Sequence, residues 1–246
     1  MAASATGRSH LDRGQPCQDA FASACTGSVL VAVVCDGAGS ASHSEVGARA
    51  VSAQVVAAMA QVLASPSAAL HGPVEVLRGH VVAAISTARD ALAEDASGQG
   101  TSLADHACTL VGVVADARGG WFFHIGDGVA ACMFADGQPE AVSLPANGEY
   151  ANETWFVTGE GWREQLRLTR FDGAVQAVVL MSDGVQPFAM ARSGTALYPP
   201  FITPVLRYLD GVEVAHGSQA LQATLADPRT DAITGDDKTL LVALPG

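Results

Sequence analysis

The sequence predicts an α+β sandwich in which helices cover antiparallel sheets, and three observations predict it. Short β-branched apolar runs recur along the chain, and two amphipathic helical segments separate the first run from the others. Strands and helices do not alternate strictly, which disfavours a doubly wound parallel sheet. Links between the middle strands, such as 116–120, are short and turn-rich, as antiparallel neighbours require.

The elements follow in order. Residues 28–35 are almost wholly apolar and read as a buried strand, ending in the small-residue loop Asp36-Gly37-Ala38-Gly39-Ser40. A helix starts near Ser44, with Glu45 in its first turn and Val51, Val55, Met59 and Val62 at helical spacing. The uncharged stretch 50–70 is alanine-rich, carries Gln54 and Gln61, and is interrupted by Pro66, so it reads as a buried helix rather than a membrane span. A second helix starts near Pro73, with an apolar stripe of Leu77, Val81, Ile85, Ala88 and Leu92 opposite Arg78, Arg89, Asp90 and Glu94. Strand-like segments follow at 107–115, 121–125 and 129–135. The polar, aromatic-containing region 145–161 is an ordered excursion, with a strand expected at 154–158. A strand at 175–181, helices near 185–192, 201–209 and 218–226, and a last strand at 239–244 complete the chain.

Composition bounds the function. Of 246 residues, 49% are hydrophobic and 15% charged, enough apolar material for a sizeable core. Thirteen basic against 25 acidic residues leave a net charge of −12, which argues against a nucleic-acid partner. Cys17, Cys25, Cys35, Cys108 and Cys132 are odd in number and lack Cys-x-x-Cys spacing, so reduced thiols in a cytoplasmic protein are expected. The N-terminal residues lack a basic segment followed by an apolar one, so no signal peptide is expected.

The main functional signal is a recurrence of aspartates at strand ends: Asp36-Gly37, Asp127-Gly128, Asp183-Gly184, and Asp236-Asp237 before the last strand. A single Asp-Gly is most simply a tight turn, since glycine accepts positive φ. That explanation fits four such sites poorly. Strand ends in one core lie close together, and four gathered carboxylates repel unless cations or protons neutralise them. Oxygen-only ligands select Mg²⁺ or Mn²⁺ over zinc or copper. Two such ions about 3.5–4 Å apart would share a bridging water of lowered pKa and neutralise a phosphoryl group, with no protein nucleophile needed.

These motifs resemble, in order along nearly the whole chain, the type-2C metal-dependent serine/threonine protein phosphatases, in a bacterial form. Gln18-Asp19-Ala20 resembles the family's first acidic motif and Asp36-Gly37-Ala38-Gly39 its metal-bridging motif. Asp105-His106-Ala107-Cys108-Thr109, Gly126-Asp127-Gly128, Ser182-Asp183-Gly184 and Asp236-Asp237-Lys238-Thr239 follow in the family's order. The resemblance implies a single domain over 1–246 with a flap excursion around 145–170, and two antiparallel sheets packed face to face with helices outside. It implies hydrolysis of phosphoserine and phosphothreonine in proteins by a metal-activated water, on a substrate paired with a serine/threonine kinase. Asp36, Asp183 and Asp236 become ligands of two Mn²⁺ or Mg²⁺ ions, the Gly37 carbonyl a ligand of the second, and Asp127 part of a third, weaker site. Gln18, Asp19 and Asp237 stand behind them. A monomer that binds neither nucleic acid nor membrane is expected.

Three positions depart from the family. Gln18 replaces the usual glutamate, Gly14 replaces the phosphate-binding arginine, and Ala38 replaces a histidine that serves as candidate acid. Arg13 and His10 are the nearest candidates to bind phosphate, and His43 the candidate to replace the acid. These losses motivate an alternative, a weak or inactive member that binds a phosphoprotein or kinase. The kept aspartates weigh against it, because unneeded clustered carboxylates cost stability. Trp155, Phe156 and Trp162 either line a substrate groove or pack the flap, and Arg163, Arg167 and Arg170 are expected on a solvated face.

Overall fold

The computed structural model describes residues 1–63, 70–145 and 154–245. Residues 146–153 of the expected flap excursion lie outside the described residues. Two five-stranded sheets, both antiparallel throughout, lie face to face. One contains β2 (Ala20–Thr26), β3 (Val29–Cys35), β4 (Leu110–Asp116), β5 (Gly119–Ile125) and β8 (Arg167–Asp172), in the order 2-3-4-5-8. The other contains β1 (Ala2–Ala5), β6 (Val129–Phe134), β7 (Ala141–Ser143), β9 (Val175–Met181) and β10 (Lys238–Ala243), in the order 1-10-9-6-7.

The long helices α2 (Ser44–Leu63) and α3 (Val74–Gly98) cover the first sheet. The shorter α5 (Gln186–Ala189), α6 (Pro199–Leu209) and α7 (Val214–Leu225) cover the second. Short helices α1 (Arg8–Leu11), α4 (Trp162–Gln165) and α8 (Pro228–Asp231) complete the set among the described residues. The layers explain why the strands lack a visible polar alternation. In β3, Val31, Val33 and Cys35 face the helices while Ala32 and Val34 face the opposite sheet. In β9, Val179 and Met181 face helices while Val178 and Leu180 meet the other sheet. A strand buried on both faces is apolar at every position.

By length and composition alone, α2 is apolar enough to cross a bilayer. Its Val51, Val55, Met59 and Leu63 instead lie buried in the core with β3 and α3. Pro73 is the N-cap of α3 rather than a residue of its first turn.

Four strands escape the sequence reading. In β1, Ala2-Ala3-Ser4-Ala5 has little β propensity, and its strand state comes from pairing with β10. In β2, alternate alanines face α2, and small side chains give a weak apolar signal. β7 has three residues, and β8 carries charged residues on an edge. The strand expected at 154–158 is absent; Val157 donates one bond to the Cys108 carbonyl and the chain then turns. The helix expected at 185–192 is a 3-10 turn, Asp183–Val185, followed by the single turn α5, whose early stop leaves Met190 paired across to Leu197.

Two helical glycines should respond oppositely to alanine. Gly79, in α3, has open space where a Cβ would stand, so Gly79→Ala should stabilise by about 0.5–1 kcal/mol. Gly47, in α2, faces the His106 carbonyl so closely that a Cβ would overlap it. Gly47→Ala should therefore lower the unfolding free energy despite alanine's better propensity; urea unfolding of both variants measures the two signs.

Candidate active site

Register brings the aspartates to one end. Val129 of β6 pairs with Met181 of β9, and Met181 pairs with Leu240 of β10. Asp127, just before β6, Asp183, just after β9, and Asp236, just before β10, therefore leave the second sheet on the same side. In the first sheet, β3 ends at Cys35, and Asp36 follows it. The backbone of Asp36 is pinned by Thr109, whose N–H donates to the Asp36 carbonyl at 2.8 Å and whose hydroxyl accepts the Asp36 N–H at 3.0 Å.

Asp36, Asp127, Asp183 and Asp236 line one cavity of about 590 Å³, together with Gly37, Gln18, His10 and Arg13. Sequence reasoning missed Ser9, Thr109, Thr154, Thr234 and Gly235, which line it too. Thr154 matters most, because its hydroxyl donates to Asp127 Oδ2 at 2.7 Å. Its only signal in the sequence was membership of the flap run.

The glycines of the Asp-Gly pairs have a reason other than turn formation. Gly37, Gly128 and Gly184 are absent from the residues with positive φ. A Cβ at Gly37 would meet the Gln18 carbonyl at 2.7 Å, and one at Gly128 the Met181 carbonyl at 2.9 Å. At Gly184 it would overlap the Asp237 carbonyl. Close backbone approach, not left-handed geometry, requires glycine here.

Asp19 and Asp237 are buried behind the cavity. Ser182 donates its hydroxyl to Asp19 Oδ2 at 2.7 Å and accepts the Thr239 N–H at 2.9 Å, so this clasp joins the start of β2 to β9 and β10. Asp237 accepts the backbone N–H of Gly7 at 2.6 Å and of Gln18 at 2.5 Å. Its Oδ2 lies 2.9 Å from His10 Nδ1, an ion-pair distance although the ring N–H does not point along that line. Lys238 Nζ, fully buried, binds Asp231 and Thr230, tying α8 to the strand that follows Asp236.

Crowding shifts the acids. Burial, then the Asp19 and Asp183 charges, push the Asp36 carboxyl well above its ordinary value. Burial also raises Asp183, with Asp236 and Asp127 adding to it. Asp36 and Asp183 stand within hydrogen-bond reach of each other, which two ionised carboxylates tolerate only across a proton or a cation. Asp19 is pushed up to about 7, chiefly by burial.

The donor set fits divalent cations. Gln18 Oε1, Asp19 Oδ1, Asp127 Oδ1 and Asp183 Oδ1 are buried oxygens without a hydrogen-bond partner. Such orphans are rare, and three acceptors on one cavity wall, with Asp19 Oδ1 behind them, call for cations or the waters that cations carry. Gln18 in place of glutamate still presents an acceptor. Among the described residues no three acidic, thiolate or imidazole side chains form a closed cage. An ion here would rest on one or two carboxylates, backbone carbonyl and water, the sparse coordination Mg²⁺ favours.

Two expectations change. His43 does not line the cavity; its ring stacks on His106, 5.3 Å between centroids, because the loop after Asp36 turns back onto the Leu103–His106 turn. Its N–H bonds the Asp105 carbonyl at 2.8 Å. Arg167 is not fully solvated; it is half-buried, and its Nη1 donates to the Leu144 carbonyl at 2.6 Å. Of the aromatics, Phe156 lines the cavity, while Trp162 is buried against the helix-side core beneath Arg163.

The family model for protein phosphatase 2C matches residues 6–226. The chain belongs to the protein phosphatase 2C family. That family is one of metal-dependent serine/threonine protein phosphatases, and Asp236 extends the site beyond the matched residues. Serine/threonine-protein phosphatase 3 of Escherichia coli (strain K12) is 30% identical over 253 residues, covering 98% of this chain and 96% of that protein. The crystal structure of a bacterial serine phosphatase superposes with a TM-score of 0.66 at 15% identity, covering 100% and 97% of the two chains. RsbX in complex with magnesium gives 0.56 at 13% identity, covering 98% and 92%. At these identities the solved structures speak for the phosphatase 2C fold.

The raised acids fix a sign for the metal-free protein. Folded Asp19 holds its proton more tightly than an unfolded aspartate with a pKa of 3.8. Its contribution is thus fully present below about pH 4 and is lost as pH rises through about 7. Asp36 and Asp183 act in the same direction. Thermal unfolding in EDTA should give a Tm that falls over this window. Mn²⁺ at about 100 times its Kd should add about 2.7 kcal/mol at neutral pH.

Proposed function

We propose that this chain hydrolyses phosphoserine and phosphothreonine in proteins, using divalent cations held by its four cavity aspartates. The observation that carries the reading is the convergence of Asp36, Asp127, Asp183 and Asp236, with partnerless buried oxygens, on one cavity. Asp36, Asp183 and Asp236 act as carboxylate ligands, with the Gly37 carbonyl beside them. Asp127, its Oδ2 engaged by Thr154, keeps Oδ1 for a third, weaker ion. When bound, the ions neutralise the carboxylates and the phosphoryl oxygens and lower the pKa of water in the cavity.

The protein's own groups do the rest. Gln18 Oε1 accepts a hydrogen bond from water at the site. Arg13, exposed on the cavity rim, binds phosphoryl oxygens in place of the family arginine lost at Gly14. A phosphoprotein substrate and an opposing serine/threonine kinase follow from this reading. The name of the Escherichia coli relative supports it. Mn²⁺ or Mg²⁺ both suit an all-oxygen site. A purely binding role gains little support, since it gives no reason to keep the aspartates that make the metal-free state less stable.

The test is hydrolysis of p-nitrophenyl phosphate and a phosphothreonine peptide with Mn²⁺, with Mg²⁺ and with EDTA. Cation-dependent turnover is expected, and turnover undiminished by EDTA would refute the metal mechanism. Asp36→Asn and Asp183→Asn should each lose the cation-dependent rate by at least about 100-fold, while the metal-free Tm rises because a crowded carboxylate is gone. Undiminished turnover in either variant would remove that residue as a ligand. Arg13→Ala should raise KM for the phosphopeptide about tenfold with a smaller change in kcat. An unchanged KM would remove Arg13 as the clamp.

A further inference from the structure

Breaking a seryl or threonyl phosphoester leaves an alkoxide, a poor leaving group unless it is protonated as it departs. The position after Asp36-Gly37 is Ala38, and His43 is turned onto His106. Among the described residues one imidazole lines the cavity, that of His10.

His10 is firmly held. It is only 7% exposed, and its Nδ1 faces Asp237 Oδ2 at 2.9 Å. Asp237 is 2% exposed and lies behind the cavity wall rather than on it. Nδ1 is shut off from solvent while His10 still lines the cavity, so the ring meets the cavity through its other edge, which carries Nε2. Asp237 is fixed in turn by the N–H groups of Gly7 and Gln18. The helix α1 that carries His10 is tied to the Asp236 loop, since Ser9 N–H donates to the Gly235 carbonyl at 2.9 Å. The other charged or titratable groups near this pair are Arg13 and Asp236 on the cavity wall and the Cys17 thiol beside Asp237. A buried carboxylate 2.9 Å from Nδ1, out of line for a hydrogen bond, positions the ring and leaves Nε2 free to act.

We propose that His10, positioned by Asp237, is the general acid that protonates the substrate's seryl or threonyl oxygen. This rests on the phosphatase reading above. As the attacking water oxygen forms its bond to phosphorus, the bond from phosphorus to the substrate oxygen breaks. Its electron pair stays on that oxygen, which takes the Nε2 proton and leaves as a neutral hydroxyl. The proton released by the attacking water returns His10 to its starting state, so the sum is phosphoester plus water giving alcohol plus phosphate.

The test uses leaving groups. Nitrophenolate departs without help, so loss of the acid should weigh mainly on the peptide. In the Mn²⁺-loaded protein, His10→Ala should lower kcat on a phosphothreonine peptide by about 100-fold, and at least tenfold more than on p-nitrophenyl phosphate. His10→Gln, which keeps a hydrogen-bond donor but no transferable proton, should behave like His10→Ala. Asp237→Asn should show the same selective loss; if it does not fold, the two His10 variants decide. A nitrogen-15 spectrum of the folded wild type should show His10 Nδ1 protonated. Equal losses on both substrates, recovery by His10→Gln, or an unprotonated Nδ1 would overturn the acid role. A wild type that hydrolyses neither substrate would overturn the phosphatase reading and this proposal with it.

Discussion

Carboxylates crowded at one end of two facing sheets set the terms for the rest of this molecule. Six acids, Asp19, Asp36, Asp127, Asp183, Asp236 and Asp237, lie in or directly behind one cavity. Among the described residues no lysine lines that cavity, and its one arginine, Arg13, stands exposed at the rim. Their mutual repulsion has to be met by something, and the structure meets it in two ways. The two innermost acids, Asp19 and Asp237, are turned into structural acceptors for a hydroxyl and for backbone N–H groups. The four on the cavity wall keep free oxygens, which cations satisfy better than protons at neutral pH.

That division of labour also ties the halves of the sandwich together. Ser182 and Asp19 link β9 to β2, and Asp237 links β10 to the segments around Gly7 and Gln18. Sheet-to-sheet contacts elsewhere are apolar, through Val34, Val113, Phe122, Val178 and Leu180. Apolar packing fixes the sandwich but is tolerant of small slides, whereas directed hydrogen bonds to buried carboxylates are not. The polar clasps therefore belong at the end where ligand positions need to be held most closely. Glycine at 37, 128 and 184 serves the same end by letting backbones approach where a Cβ would intrude.

Much of this was legible in the sequence, and the limits are physical. The strands that carry the aspartates are apolar on both faces, so they stood out as runs and their ends marked the site. The layer order followed from the strand and helix order together with the family resemblance. β1, β2 and β8 were not legible because their strand state depends on partners: alanines paired to β10, alanines packed under α2, and charged residues on an edge. Among site residues, the aspartates and Gly37 were readable from Asp-Gly recurrence. Thr109 and Thr154 were not, because a threonine that pins a backbone or a carboxylate has no periodic signature. His43 and His10 were both candidates for work at the site; sequence distance from Asp36 favoured His43 for the acid, whereas the fold puts His10 on the cavity.

The reason His10 can stand at the cavity lies in chain geometry rather than sequence proximity. The first strand, β1, pairs with β10, so the chain leaving β1 at Ala5 emerges beside Lys238 and next to the Asp236 loop. Gly7 is then pressed against the Gly235 and Asp236 backbone, where any side chain would overlap it. Helix α1 has to begin there, and its third residue, His10, lies against Asp237. A weak alanine strand, β1, thus decides which imidazole stands at the cavity. Loss of the arginine at position 14 and of the histidine after Gly37 need not have emptied the site of function, because this pairing delivers both a cation, Arg13, and an imidazole, His10, to the same wall.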